Sequence, residues 1–131
     1  MRDAAELQDI ARELRADLVR LSGRAKTPHL GSALSCVDIV TAAYWHALRI
    51  DPQSPDDPDR DRFMLSKGHA ATVQYLALCM RGFFGQELID DYAKPGAVLP
   101  EHPSPGCAPG IEAVSGSLGH GLGLGMGMAL A

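Results

Sequence analysis

The sequence predicts an α/β protein in which helix outweighs strand. Three observations carry that expectation. Residues 4–22 repeat apolar side chains at the helical period, residues 62–66 form one short strand-like run that passes at once into "KGHAA", and the closing "SGSLGHGLGLGMGMALA" alternates glycine with leucine and methionine. At 131 residues the chain is one domain or part of one. A hydrophobic content of 46% against 21% charged residues places it among globular chains rather than disordered ones.

Along the chain, Leu7, Ile10, Ala11, Leu14, Leu18 and Leu21 line one face of a first amphipathic helix, with Arg and Glu between them and Gly23 placed to end it. "RAKTPHLGSALS" then breaks regular structure through Pro28 and Gly31. A second helix is expected over residues 35–48, "SCVDIVTAAYWHAL", apolar over much of its circumference and therefore buried. "DPQSPDDPDRDR", residues 51–62, mixes proline with charge and reads as a surface loop. "RFMLS" is the one convincing strand. A third helix follows over residues 69–81 with Tyr75, Leu78 and Cys79 on its apolar side, and "FGQELIDDY" makes a short fourth.

Residues 94–119 are rich in Pro, Gly and Ser, an irregular stretch long enough to suggest a binding loop. The terminal glycines, at every second position from Gly119 to Gly127, first suggest a strand. Glycine weakens strands, however, and Leu122, Leu124, Met126 and Met128 are neither β-branched nor aromatic. A helix is the better reading, although each interior glycine costs roughly 1 kcal/mol against alanine. Such a helix needs its backbone close to another helix or to a ligand at its N-terminus.

Charge and composition exclude some functions. Twelve basic against sixteen acidic residues leave a formal net charge of −4, which argues against nucleic acid as the main partner. No apolar run approaches the roughly 18 residues of a membrane span, and "MRDAAELQDI" lacks the apolar core of a signal peptide. Cys36, Cys79 and Cys107 are odd in number and widely spaced, as expected for reduced thiols in a cytoplasmic protein.

Chemistry gathers at the histidines. His46 lies mid-helix and reads as a packing or surface residue. His29, His69, His102 and His120 sit instead at breaks or helix starts, in "TPHLG", "KGHA", "EHPSPG" and "LGHG", where a rigid scaffold can aim side chains into one cleft. Zinc is disfavoured, because the gaps between His29, His69, His102 and Cys107 are long and irregular and no CxxC or HxxxH pair occurs. "LSKGHAA" places His69 and backbone N–H groups at a helix N-terminus, where anions are favoured, and "GSLGHG" offers a second glycine-rich turn leading into a helix. Neither matches a nucleotide fingerprint. The residues by themselves point to a cleft with several histidines, suited to a phosphorylated ligand.

"HLGSALSCVDIVTAAY", "DRFMLSKGHAATVQY" and "LPEHPSPGCAPGIEAVSGSLGHGLGLGMGMALA", in that order and spacing, resemble the N-terminal part of a transketolase, most closely the form divided between two polypeptides. The resemblance covers residues from about 10 to 131. It implies the thiamine diphosphate-binding fold, a parallel sheet flanked by helices, with residues 1–131 as its helix-rich N-terminal part. The implied activity is transfer of a two-carbon ketol unit from a ketose phosphate to an aldose phosphate, with thiamine diphosphate and Mg2+ or another divalent cation.

Carried over by residue, His69 corresponds to the histidine that contacts the cofactor diphosphate. Gly116, Ser117 and Leu118 match the family's G-P-L segment against the cofactor, with Ser117 in place of the usual proline. His29 and His102 correspond to the histidines that face the reacting carbons and sugar hydroxyls, although Leu30 stands where proline is usual. Imidazoles as a class exchange protons near neutrality, which suits such a role. His120 replaces a frequent glutamine and takes no catalytic role. The metal ligands and the pyrimidine-binding domain are expected outside this sequence, and with them a C-terminal transketolase section and a dimeric assembly. Two further readings remain open: another thiamine diphosphate-dependent ketol transferase, and a non-catalytic assembly or regulatory chain of the same fold.

Overall fold

The computed structural model describes residues 2–113 and 116–131. Asp3 caps the first helix, α1 (Ala4–Ala25): its carboxylate accepts from the Glu6 N–H at 2.9 Å, and the Glu6 carboxylate accepts from the Asp3 N–H at 3.1 Å. This reciprocal pair satisfies two donors that a helix start leaves open. The expected stripe is the buried one, with Ala11, Leu14, Leu18 and Leu21 in the core. Gly23 does not end the helix. It faces open space, its cost is only about 1 kcal/mol of propensity, and α1 continues until Lys26 turns left-handed at φ 55°.

The break expected over residues 24–35 holds a short helix, α2 (Leu30–Leu34), because Pro28 precedes it and the exposed Gly31 is tolerated inside it. Conversely, the single helix expected over residues 35–48 is divided. The Ser35 hydroxyl donates back to the Ser32 carbonyl at 2.8 Å, a local bond that competes with helix propagation. Helix α3 (Val37–Ala42) starts after it and runs into a π-helical turn, Ala43–Ala47, closed by the Leu48 N–H on the Ala43 carbonyl at 2.9 Å. Val37, Val40, Thr41 and Tyr44 are buried, but Ile39 is 69% exposed, so only one face of this region is core.

Residues 62–66, expected as a strand, form none, and no strand or sheet occurs among the described residues. A strand exists only with a neighbour to complete its ladder. Here Phe63 and Leu65 pack on the core instead, the Phe63 ring lying 5.1 Å from that of Tyr44. The Tyr44 hydroxyl accepts from Gln74 Nε2 at 3.1 Å, and burial pushes its phenol pKa up, so it stays protonated.

A 3-10 turn, Gly68–Ala70, leads into α4 (Ala71–Arg81), the centre of the fold. Ala71 and every residue from 73 to 78 are buried, because α1, α2, α3 and α5 (Gln86–Asp91) all pack against α4. Gly82 ends it at φ 85°. Arg24 fastens α5 to the end of α1 by donating to the Ile89 carbonyl at 2.7 Å. Helix α6 (His120–Leu130) confirms a helical reading of the terminal glycines, and none of its residues is buried. The three cysteines are free.

The described part of residues 94–119 is irregular, as expected, and side chains from the preceding elements fasten it. The Tyr75 hydroxyl donates to the Pro100 carbonyl at 2.9 Å. Arg60 grips Glu112 with both terminal nitrogens, at 2.5 and 3.2 Å, with the two side chains only 10% and 7% exposed. Removing one partner of such a pair strands the other, at a cost of about 3–5 kcal/mol, whereas an apolar replacement of both is far milder. Glu112→Gln is therefore expected to lower stability by about 3 kcal/mol in chemical denaturation, and Arg60→Met with Glu112→Leu to recover most of it. Equal losses in the single and double variants would mean that the pair does not anchor this stretch.

Candidate active site

Three breaks in the chain converge on one place. His29 is the N-cap of α2, His69 lies in the 3-10 turn before α4, and His102 lies in the irregular stretch that Tyr75 fastens at Pro100. The His69 ring centre is 4.9 Å from that of His29 and 4.8 Å from that of His102, in edge-to-face arrangements, while His29 and His102 are 6.4 Å apart. Sequence positions separated by dozens of residues thus form one imidazole cluster.

Each histidine is held differently. The His29 backbone adopts φ 119°, a region disfavoured for any side chain with a Cβ and worth about 1–3 kcal/mol of strain. His69 Nδ1 is buried without a hydrogen-bond partner among the described residues, a polar atom whose desolvation they do not offset. His102 is half-buried and followed by the fully buried Pro103.

The glycine-rich turn lies beside this cluster. A Cβ placed on Gly116 would come 3.9 Å from His102 Cδ2. Ser66 joins the two turns: its carbonyl accepts from the Gly119 N–H at 3.3 Å and its hydroxyl from the Gly121 N–H at 2.8 Å. That approach explains one glycine of the alternation, since a Cβ on Gly121 would stand 2.6 Å from Ser66 Cβ. Ser117 and Leu118 are exposed beside Gly116, and His120 is exposed at the first turn of α6. His46 sits at the surface, 3.3 Å from the Arg2 carbonyl and away from the cluster.

Two residues escaped the sequence reading although they stand inside a motif it singled out. Ser66 and Lys67 immediately precede Gly68 and His69. The Lys67 ammonium donates to the Ser32 carbonyl at 3.2 Å and the Ser35 hydroxyl at 3.1 Å. Polar residues placed between an apolar run and a helix start were the available signal; their partners, more than thirty residues away, were not.

The turns before α4 and α6 meet at Ser66, and neither helix start has a side-chain cap; the α4 start lies beside the His69 ring, whose Nδ1 has no partner among the described residues. The positive end of a helix next to an unpaired imidazole nitrogen suits a diphosphate. Residues 4–131 match the family described as "Transketolase, thiamine diphosphate binding domain". The chain belongs to that family. It is 39% identical over 126 residues to a 6-deoxy-6-sulfo-D-fructose transketolase polypeptide of Clostridium sp., covering 96% of this chain and 46% of that one. It is 40% identical over 117 residues to one of the polypeptides of the apulose-4-phosphate transketolase of Phocaeicola vulgatus, covering 89% of this chain and 41% of the other. Both relatives are named as subunits of their enzymes. Its structure resembles the transketolase from Leishmania mexicana, with a TM-score of 0.82 and 27% identity over 88% of this chain and 18% of that one. The chain thus spans less than half the length of these transketolase relatives.

Within this transketolase domain, the contact between Gly121 and Ser66 is testable. Gly121→Ala is expected to lower stability by about 1–3 kcal/mol, since the new methyl meets Ser66 Cβ and the backbone behind it. Adding Ser66→Gly should return part of that loss in thermal unfolding. Absence of any coupling between the two substitutions would separate the turns that the structure joins.

Proposed function

We propose that this chain is the diphosphate-side section of a transketolase-like enzyme that moves a two-carbon ketol unit from a ketose phosphate to an aldose phosphate. The observation that carries the reading is the convergence of His29, His69 and His102 beside the Gly116 turn. Thiamine diphosphate fits the residues present: His69 Nδ1 has no partner among the described residues, and the positive end of α4 begins beside it. When bound, that cofactor supplies the carbon nucleophile and electron sink of ketol transfer.

The chain's own residues divide the remaining work. His69 holds the diphosphate, and Gly116, Ser117 and Leu118 lie along the cofactor. His29 and His102 face the sugar, bind its hydroxyls and take or return protons as a carbon–carbon bond breaks or forms. The divalent cation, Mg2+ in our reading, takes its ligands from sequence outside these residues; no group of three or more His, Cys, Asp or Glu suited to a metal occurs among the described residues.

The remainder of the domain, including the parallel sheet, encloses α6, whose Leu122, Met126 and Leu130 are 77%, 60% and 86% exposed. Residues 1–131 then form one part of a single cofactor-binding domain. The partner is a C-terminal transketolase section, as the naming of the Clostridium and Phocaeicola relatives as subunits suggests, and the working assembly is dimeric and cytoplasmic. No helix of the described residues is long and apolar enough to cross a membrane. Those same names, which specify a sulfosugar and apulose 4-phosphate, make the identity of the donor sugar the natural variable within this reading.

A coupled assay with a ketose phosphate donor should show activity only when the companion polypeptide accompanies this chain; activity from the chain alone would sink the divided-enzyme reading. In the assembled enzyme, His69→Ala should weaken thiamine diphosphate binding by about 1.5–3 kcal/mol, the range for a hydrogen bond to a charged group. His29→Ala and His102→Ala should lower turnover or raise the substrate KM with cofactor affinity nearly intact. Cofactor titration separates the two classes, and loss of cofactor binding in the latter pair would reverse the assignment.

A further inference from the structure

We propose that Lys67 is a positioning residue that sets the spacing between His29 and His69, an inference that rests on the site assignment above. Its half-buried side chain runs from the His69 turn to the C-terminal end of α2. There Nζ donates to the Ser32 carbonyl at 3.2 Å and the Ser35 hydroxyl at 3.1 Å, and lies 3.9 Å from Cys36 Sγ. An ammonium has three N–H bonds to give, and these three acceptors can take all of them. Ser35 spends its own hydroxyl hydrogen on the Ser32 carbonyl at 2.8 Å, which leaves its lone pairs to Lys67. No carboxylate pairs with Lys67 among the described residues, so the side chain is committed to this corner.

What Lys67 holds is a helix that cannot hold itself. Helix α2 has five residues, too few for a stable helix in isolation, and it opens at His29 with φ 119°. A strained backbone persists only where its surroundings over-determine it. Lys67 fixes the opposite end of α2. Only Gly68 separates it from His69, so the same side chain also fixes the backbone that carries the second imidazole. One ammonium therefore ties the carrier of His29 to the carrier of His69, whose rings stand 4.9 Å apart. An apolar side chain at position 67 would leave the α2 end without its donor and free the two turns to separate.

The test uses the assembled enzyme. Lys67→Met should lower kcat about tenfold or more, the scale of loss that a displacement on the order of 1 Å brings to positioned groups. Lys67→Arg, which keeps donors and charge, should recover part of that loss. In a His29→Ala background Lys67→Met should add less than about twofold, because residues acting through one another are not additive. Full additivity would overturn the inference, since a merely structural defect adds on top of a missing side chain. A crystal structure of the Lys67→Met enzyme decides the point without activity: the His29 and His69 rings should move apart and the His29 backbone relax. An unmoved pair overturns the role of Lys67. If the unsubstituted enzyme transfers no ketol unit, the functional reading fails while the ring spacing still decides this one. Should Lys67→Met not fold, Ser35→Ala removes one acceptor and should displace His29 less but in the same sense; an unchanged His29 there also overturns the inference.

Discussion

The backbone of residues 66–70 is the constraint on which the site depends. It is held from three sides at once. Its front is tied to the glycine-rich turn through Ser66, its flank to α2 through Lys67, and its rear continues into α4, the most enclosed helix of the molecule. Each attachment alone is a hydrogen bond of about 1 kcal/mol, or somewhat more where an ammonium donates. Together they remove the freedom that an exposed turn would otherwise have. His69 sits inside that turn, and the other two histidines are placed by reference to it: His29 through α2, and His102 through the Tyr75 bond to Pro100 from α4 itself. A buried helix thus acts as the common datum for three loops.

Legibility in the sequence followed the range of the interaction. Helix α1 was readable because its stripe is local and its partner is simply the core, and α4 for the same reason. The boundary between α2 and α3 was not, since it turns on the Ser35 hydroxyl choosing the Ser32 carbonyl over propagation, a choice of about 1 kcal/mol that composition does not display. The run at residues 62–66 had strand chemistry but no ladder partner within the described residues, and Phe63 satisfies its burial against Tyr44 instead. The histidines stood out because they sit at breaks, where local rules favour turn residues. A shared cleft was legible from those breaks, but which of His29, His69, His102 and His120 meet in it could not be read from spacing and came only through family resemblance. Ser66 and Lys67 stayed hidden because their partners are remote.

The glycine alternation has two physical explanations rather than one. Gly121 is required by Ser66, whose Cβ would otherwise clash with its own, and Gly119 holds φ 85° at the cap of α6. A Cβ on Gly123, Gly125 or Gly127 would meet nothing within 4 Å among the described residues, and the large residues between them are exposed. A helix apolar around its whole circumference is suited to enclosure on all sides. The N-terminal glycines therefore serve the site within this chain, while the later ones have the pattern of a surface prepared for close backbone approach. That division matches the proposal that α6 starts at the cofactor and runs away from it into the rest of the domain.

The same cluster bears on whether the chain works as a catalyst or as an idle scaffold of the same fold. A scaffold gains nothing from a histidine at φ 119°, a conformation that glycine would adopt without strain. Nor does it gain from a buried imidazole nitrogen that lacks a partner, where an apolar side chain would avoid the desolvation cost. Both features lower stability, both fall within a few ångströms of each other, and both lie on residues whose type carries proton-transfer chemistry. Single violations occur elsewhere, since Thr41 Oγ1 is also buried without a partner among the described residues and Ala93 takes φ 65°, but only here do backbone strain and an unpaired polar atom fall on neighbouring imidazoles. Two such costs on adjoining side chains that can exchange protons are the expected mark of a site shaped for a ligand rather than for folding. The strain at His29 and the open valence of His69 are therefore the strongest physical arguments for the catalytic reading, because each is a cost that a bound cofactor and sugar would offset.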